Sequence, residues 1–344
     1  ARIPSMDTRS LGRTGLKVSV IGFGGIPIQR LSLEEAGAVL RRALDLGISF
    51  FDTARGYTDS ERKIGEALSG RREEFVLATK AMSRDAAGMK AELAESLELL
   101  KTDHIDLYQL HGVGSTKQLE QVLGPDGAYS VLEDARARGQ VGHIGITTHS
   151  RDLAAEAIAT RKFATLQAPF NPIETEWADE VLPAAARAGM GVIGMKPIAG
   201  GALSGCPAAA LRWGLAHGLT VAIPGVDSIE QVEINAAAGS PLREPDETEL
   251  AQLEKERERW TGEFCRRCGY CMPCPEGLNI PMLLLLQAYH ERYEMTDWAS
   301  ERLLGLEKHY EHCVACGTCT TRCPYELPIP EMMSRGAKGA LGVT

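Results

Sequence analysis

Four side chains of different chemical type follow short apolar segments of the chain. Asp52 and Tyr57 lie five residues apart, Lys80 ends the next apolar segment, and His111 ends the one after that. A phenol is a weak acid with an unperturbed pKa of about 10, and a neighbouring ammonium favours its phenolate form. With a carboxylate to hold the ammonium and an imidazole to hydrogen-bond an oxygen, this set can move a proton at an oxygen whose carbon exchanges a hydride.

Each of these residues also has an ordinary structural interpretation when taken alone. A single His at the end of a strand is commonly structural, Asp52 fits the N-cap of a helix, and Lys80 fits a solvated surface charge. Four such types at successive segment ends favour a catalytic set, provided that the fold brings those ends together.

Eight of the nine cysteines lie in two runs near the carboxyl terminus. The runs are Cys265, Cys268, Cys271 and Cys274, then Cys313, Cys316, Cys319 and Cys323, each run followed by proline. The second run has the spacing of a bacterial ferredoxin, and the first is one residue shorter in its last gap. We therefore predict two [4Fe-4S] clusters; four-cysteine zinc sites are the alternative.

The pairing of cysteines with clusters is open from the spacing alone. In two-cluster ferredoxins the fourth Cys of one run ligates the other cluster. This pattern predicts one cluster on Cys265, Cys268, Cys271 and Cys323, and the other on Cys313, Cys316, Cys319 and Cys274. If the shortened gap prevents the exchange, each run holds its own cluster. The ninth cysteine, Cys206, is predicted to be a structural thiol.

Eight short apolar segments precede the cysteines, and each is followed by a helical pattern. They cover residues 18–23, 48–51, 75–79, 104–110, 141–146, 164–168, 191–195 and 219–223. This alternation predicts an α/β fold of the (β/α)8 TIM-barrel type, with an N-terminal β-hairpin over residues 8–18. An open doubly wound sheet is the alternative. In a barrel, the carboxyl ends of the strands carry the chemistry.

Composition divides the chain and limits its partners. We predict a barrel domain over residues 6–260 and a small, mainly helical iron–sulfur domain over residues 261–344, where Cys and Pro become frequent. The net charge of −9 and the lack of a Lys/Arg-dense block argue against a nucleic-acid surface. No apolar run approaches the roughly 18 residues of a membrane span, and no signal peptide is evident, so a cytoplasmic location is expected.

The barrel segment resembles the aldo-keto reductase family over about residues 8–240. The resemblance is carried by Phe-Asp-Thr-Ala at residues 51–54 with Tyr57, then Ser-Glu at 60–61 and Ile-Gly at 64–65. It continues in Leu-Tyr-Gln-Leu-His at residues 107–111. In that family an N-terminal hairpin plugs the bottom of the barrel, which matches the predicted hairpin. By this resemblance Tyr57 is the general acid/base, Lys80 and Asp52 tune it, and His111 orients the carbonyl.

The same resemblance implies a nicotinamide dinucleotide, NADP(H) in preference to NAD(H), extended across the strand ends. The residues expected to contact it are Gly24, Thr147, Thr148, Gln167, Met195, Lys196, Gly225, Ser228, Gln231 and Asn235. Thr147 and Thr148 stand where Ser-Asn is usual, and Met195 replaces a stacking aromatic. The Lys and Arg that often grip the 2′-phosphate are absent, and Asp227 and Glu230 are present.

The cysteine segment also resembles the α-helical ferredoxin domain of succinate dehydrogenase iron–sulfur subunits. Together the two resemblances imply an oxidoreductase that reduces a small carbonyl or oxidises an alcohol. Its clusters would exchange single electrons with a redox protein partner, or serve a separate redox step or a structural role. The alternative is a non-catalytic redox sensor or electron-transfer protein built on a degenerate barrel.

Overall fold

The computed structural model describes residues 6–338, and the chain forms two compact units. The first unit consists of the residues up to Ala199 together with Leu203–Leu253. The second consists of Gly200–Ala202 and the residues from Glu254 onward. The boundary at residue 260 stays a prediction, and residues 339–344 of the predicted second domain lie outside the described residues.

The first unit is built on ten strands. Strands β1 (Thr8–Ser10) and β2 (Lys17–Ser19) form an antiparallel hairpin. The parallel strands are β3 (Phe23–Gly24), β4 (Phe50–Asp52), β5 (Val76–Ala81), β6 (Ile105–Leu110), β7 (Val141–Thr147), β8 (Thr165–Pro169), β9 (Gly191–Met195) and β10 (Val221–Ile223).

The eight parallel strands follow one another in sequence order around the sheet, from β3 to β10. Parallel bridges from Ile21 to Ala222 and from Gly24 to Gly225 join the first strand region to the last. The sheet is therefore a nearly closed barrel. The predicted (β/α)8 fold and its hairpin are confirmed, and the open doubly wound alternative is wrong.

Helices cover the outside of the barrel. They are α1 (Leu33–Asp45), α2 (Ser60–Leu68), α3 (Ala86–Leu99), α4 (Thr116–Leu123), α5 (Ala128–Ala137), α6 (Arg151–Thr160), α7 (Val181–Arg187), α8 (Pro207–Ala216) and α9 (Ile229–Ala238). Helix α10 (Glu247–Trp260) begins in the first unit and ends in the second. Ser32 begins α1 in a capping box with Glu35. Helix α4 was not predicted, because its eight residues offer only a short apolar face of Leu119, Val122 and Leu123.

The hairpin closes the amino-terminal end of the barrel. Leu11 and Val18 are fully buried and belong to the same interior core as Phe50 of β4. Gly12 has a φ of +55°, and a Cβ there would lie 2.2 Å from the backbone nitrogen of Gly191, where β9 begins. The polar side chains lie at the opposite end of the barrel, where the strands end.

The second unit is mainly helical. Its helices after α10 are α11 (Ile280–Tyr293), α12 (Thr296–Leu304), α13 (Thr318–Thr321) and α14 (Ile329–Lys338). Tyr310 lies in its core and donates a hydrogen bond to the Leu283 carbonyl at 2.6 Å. Within residues 6–338, no helix combines the length and the apolar character needed to cross a membrane.

Candidate functional site

The alternation of side chains along neighbouring strands brings an acid and an amine together inside the barrel. Phe50 of β4 and Ala78 of β5 point into the interior core, so Asp52 and Lys80, two residues further on, lie on the same side. Lys80 Nζ donates hydrogen bonds to Asp52 Oδ2 at 2.5 Å and to the Thr53 carbonyl at 2.7 Å. Both side chains are almost completely buried.

Burial dominates the electrostatics of this pair. It lowers the pKa of Lys80, and the nearby Asp52 carboxylate opposes that effect. Burial likewise raises the pKa of Asp52 against the stabilising charge of Lys80. Because each charge is costly to bury without the other, removing either side chain should destabilise the remaining one in its buried position.

Tyr57 and His111 lie around the ammonium of Lys80. Lys80 Nζ is 4.9 Å from the centroid of the Tyr57 ring. The His111 ring meets the Tyr57 ring edge-on, with their centroids 5.9 Å apart. The four residues are spread over 60 positions of the sequence. In the structure they surround one point at the carboxyl-terminal rim: Asp52, Tyr57, Lys80 and His111.

The imidazole of His111 is held in its neutral form. Burial, followed by the positive charges of Lys80 and Arg84, lowers the pKa of His111 well below its usual value. His111 Nδ1 is buried and has no hydrogen-bond partner among the described residues. A neutral imidazole has one N–H donor and one acceptor, so the ring can donate to a substrate oxygen without carrying a charge.

Two glutamines complete the floor of the site: Gln167, which the sequence predicted as a cofactor contact, and Gln109, which sequence reasoning missed. Gln109 of β6 donates to Gln167 Oε1 at 2.8 Å and to Asp52 Oδ1 at 3.3 Å, and Gln167 also hydrogen-bonds Asp52. Gln109 Oε1 is buried without a partner in the described part of the chain. The signal was present, because Gln109 occupies an inward position two residues after Leu107.

The residues predicted to contact the nicotinamide lie at the ends of β7, β8 and β9. Thr147 and Thr148 are buried, and their hydroxyl oxygens accept main-chain N–H groups of Gly112 (2.8 Å) and Ser150 (3.1 Å). These bonds fix the adjoining loops. Met195 ends β9 half-buried, and Lys196 has a left-handed φ of 54°. Their cofactor contacts stay predictions.

The residues predicted for the adenosine and phosphate groups lie around the start of α9. Ser228 caps the helix by accepting from the Gln231 nitrogen, and Gln231 Oε1 accepts from the Asp227 nitrogen at 3.0 Å. Asp227 also forms an ion pair with Arg30. The acidic charge that stood against a 2′-phosphate is therefore balanced by a neighbouring guanidinium.

The remaining predicted contacts are two glycines and an amide. Gly24 and Gly225 face each other across the closing bridge of the barrel. A Cβ on Gly24 would lie 2.7 Å from the Pro224 carbonyl oxygen, and one on Gly225 would lie 2.9 Å from Pro27 Cγ. Close packing at this bridge thus accounts for both glycines, and Asn235 is buried on α9.

In the second unit, the eight cysteines of the two runs line two separate cavities. The first cavity has about 310 Å³ of empty volume, part of it open to solvent, and contains Cys265, Cys268, Cys271 and Cys323. The second has about 360 Å³, also partly open, and contains Cys274, Cys313, Cys316 and Cys319. Among residues 6–338, no three His, Cys, Asp or Glu side chains converge as they would around a single ion.

The two cavities differ in their surroundings. Burial raises the pKa of Cys265 to about 11 and that of Cys271 to about 12, so these thiols are protonated until a metal displaces the protons. Cys316 is exposed, and hydrogen bonding with Thr318 lowers its pKa. Both linings otherwise consist mainly of apolar residues, which suits a site for a bulky metal–sulfur group.

A parallel barrel with Asp, Tyr, Lys and His at its carboxyl-terminal rim, followed by a helical unit with two four-cysteine cavities, defines a barrel oxidoreductase that carries an iron–sulfur domain. The family model described as "Aldo/keto reductase family" matches residues 20–208, and the one described as "4Fe-4S dicluster domain" matches residues 264–327. The chain belongs to the aldo-keto reductase family and carries a C-terminal 4Fe-4S dicluster domain.

Individual proteins extend this likeness. L-galactose dehydrogenase of Arabidopsis thaliana is 28% identical over 303 residues, which cover 72% of this chain and 93% of that protein. The aldo-keto reductase AKR11C1 from Bacillus halodurans (holo form) is 26% identical, with a TM-score of 0.63, over 73% of this chain and 96% of that one. An aldo/keto reductase from Klebsiella pneumoniae in complex with NADP and acetate is 25% identical, with a TM-score of 0.62, over 74% and 95%.

Proposed function

We propose that this chain is a nicotinamide-dependent oxidoreductase that interconverts a small carbonyl compound and its alcohol, with Tyr57 as general acid/base. The observation that carries the proposal is the packing of Tyr57 and His111 around the buried Lys80–Asp52 pair. Lys80 Nζ lies 4.9 Å from the Tyr57 ring centroid, and the His111 ring is within 6 Å of it. These groups have the types and the closeness that proton transfer to an oxygen requires.

Each residue has one role in this proposal. When bound, the reduced cofactor supplies a hydride to the carbonyl carbon. Tyr57 gives its phenolic proton to the carbonyl oxygen, which completes the alcohol, and Lys80 stabilises the phenolate that remains. Asp52 keeps the Lys80 ammonium in place. His111 donates a hydrogen bond from its neutral ring to the same oxygen and so orients the carbonyl.

Two features support a bound ligand and, in particular, NADP(H). His111 Nδ1 and Gln109 Oε1 are buried atoms without a partner among the described residues, and such groups cost roughly 1–3 kcal/mol each until they are paired. A ligand at the rim that hydrogen-bonds these two atoms would remove that cost. The ion pair between Asp227 and Arg30 removes the acidic charge that would repel a 2′-phosphate, and a relative from Klebsiella pneumoniae is in complex with NADP.

Gln167 and Met195, at the ends of β8 and β9, are the residues proposed to hold the nicotinamide. Lys196 is the residue proposed for the pyrophosphate, and Ser228 and Gln231 are proposed for the adenosine phosphate. Helix N-termini favour such anions because their first N–H groups lack intrahelical partners.

The second unit is proposed to hold two [4Fe-4S] clusters for electron transfer. The lining of the first cavity favours ligation by Cys265, Cys268, Cys271 and Cys323, and that of the second favours Cys274, Cys313, Cys316 and Cys319. When bound, the clusters accept and donate single electrons. The chain supplies eight thiolates and an apolar surround that limits the access of water.

Anaerobic titration of the holoprotein with NADPH and with NADH tests the nicotinamide proposal. We expect saturable binding, tighter for NADPH, detected by quenching of protein fluorescence. Tyr57→Phe should keep that binding and the visible absorbance of the clusters while losing carbonyl reduction by at least about 100-fold, the scale of general acid catalysis. His143→Gln, near the amino-terminal end of β7 and away from the rim, is the matched control and should turn over like the unmodified protein.

Two results would contradict the proposal. Turnover that persists in Tyr57→Phe would remove the proton-donor role. Failure to bind either nucleotide, together with a cluster spectrum unchanged by both, would favour the non-catalytic redox sensor instead.

A further inference from the structure

A buried carboxylate outside the four-residue set connects the elements that carry that set. Glu61, in the first turn of α2, is only 1% exposed. Its Oε2 accepts a hydrogen bond from Arg55 Nη1 at 2.5 Å. Its Oε1 accepts from Thr79 Oγ1 at 2.6 Å and from Ser96 Oγ at 2.9 Å. Every partner belongs to a different element from the others.

These partners lie directly beside the proposed catalytic groups. Arg55 is two residues before Tyr57 in the loop after β4, and its main-chain nitrogen donates to the Lys80 carbonyl at 2.9 Å. Thr79 precedes Lys80 on β5 and points away from it, toward the helices. Glu61 therefore fixes the Tyr57 loop against the strand that carries Lys80.

Glu61 also acts on Lys80 through its charge. Burial lowers the pKa of Lys80, and the charge of Glu61 adds to that of Asp52 in opposing this effect. A second negative charge behind the strand helps the amine to stay an ammonium, the form that stabilises a phenolate.

We propose that Glu61 is a positioning residue for the reaction at Tyr57, acting through Arg55 and Thr79 and through its charge beside Lys80. The inference rests on the proposed role of Tyr57. A misplacement of about 1 Å at a reacting group can cost on the order of 100-fold in rate. By holding the Tyr57 loop against the Lys80 strand, Glu61 therefore affects the rate without touching the substrate.

The test compares Glu61→Gln with Glu95→Gln. Glu95 is the second ion-pair partner of Arg55, but its side chain is 55% exposed, so its loss should change little. NADPH-dependent reduction of 4-nitrobenzaldehyde gives kcat and KM. Hydrogen-exchange mass spectrometry of residues 53–60 reports the loop without needing turnover. Arg55→Gln is a second variant that breaks the same link, should Glu61→Gln fold poorly.

We expect Glu61→Gln and Arg55→Gln to lower kcat about tenfold or more with KM little changed, and to speed amide exchange in residues 53–60. The double variant should be no slower than the slower single one, because both changes remove one link. Wild-type exchange and kcat in Glu61→Gln would overturn the inference, as would equal losses in Glu95→Gln. If the unmodified protein does not reduce the aldehyde, the proposed function fails, and the exchange data alone decide the role of Glu61.

Discussion

At the scale of single residues, the Lys80–Asp52 pair is the most sensitive feature of the site. Both side chains are buried, with 2.5 Å between Nζ and Oδ2. Lys80→Met leaves the Asp52 carboxylate without its partner, so the free energy of unfolding should fall by roughly 3–5 kcal/mol. Asp52→Asn combined with Lys80→Met should be less destabilising than the sum of the single changes, measured by chemical denaturation.

A surface pair provides the control for that measurement. Lys101 and Glu66 lie 2.7 Å apart but are both substantially exposed, so Lys101→Met should leave the free energy of unfolding almost unchanged. Equal losses in the buried and the exposed variants would mean that burial does not set the strength of the Lys80–Asp52 pair.

His111 carries a pH dependence whose sign follows from its environment. Burial and two neighbouring cations lower its pKa in the folded protein, whereas the unfolded chain keeps a value of about 6.5. As the pH falls below about 6.5, His111 becomes protonated in the unfolded state while it stays neutral in the folded state. Stability attributable to His111 is therefore complete above that pH and declines below it, by at most about 1.4 kcal/mol per pH unit.

Denaturation at pH 7.5, 6.5 and 5.5 checks this prediction. His111→Gln cannot titrate, so it should lose less stability between pH 7.5 and 5.5 than the unmodified protein does. Parallel pH curves for His111→Gln and the unmodified protein would show that the ring titrates normally.

At the scale of elements, the hairpin end of the barrel should govern stability rather than chemistry. Leu11 is completely buried in the interior core at the amino-terminal end, and the polar side chains lie at the other end. Leu11→Ala should therefore cost about 2–5 kcal/mol and leave kcat unchanged. Leu33, which is 44% exposed, gives the matched variant Leu33→Ala, which should cost less than 1 kcal/mol. A large fall in kcat for Leu11→Ala would contradict the separation of the two ends.

The elements also show what the sequence can and cannot reveal. The alternation of strand and helix patterns predicts the barrel, and the places of Asp52, Lys80 and His111 at the ends of successive strands predict that they meet at one rim. The contacts of Glu61 with Thr79 and Ser96 depend on how α2 and α3 pack on β5, which no local pattern encodes. Helix α4 escaped prediction for the same reason, because its short apolar face is recognisable only once it is packed against its neighbours.

At the scale of the whole chain, each of the two cavities is lined by cysteines from both runs. If the cavities reflect the ligand sets, Cys274 and Cys313 serve the same cluster, whereas Cys265 and Cys274 serve different ones. Two double variants distinguish the pairings: Cys274→Ala with Cys313→Ala, and Cys265→Ala with Cys274→Ala. After anaerobic reconstitution, iron analysis and Mössbauer spectroscopy report the [4Fe-4S] content of each.

The unmodified protein should contain about eight iron atoms, from two four-iron clusters. The first double variant should keep about half of its [4Fe-4S] signal, because both changes damage one cluster. The second should lose nearly all of it, because each change damages a different cluster. Cys206→Ala, at a buried thiol before α8, should keep the full content. The reverse result for the two double variants would mean that each run holds its own cluster, and zinc in place of iron would remove the electron-transfer role from the second unit.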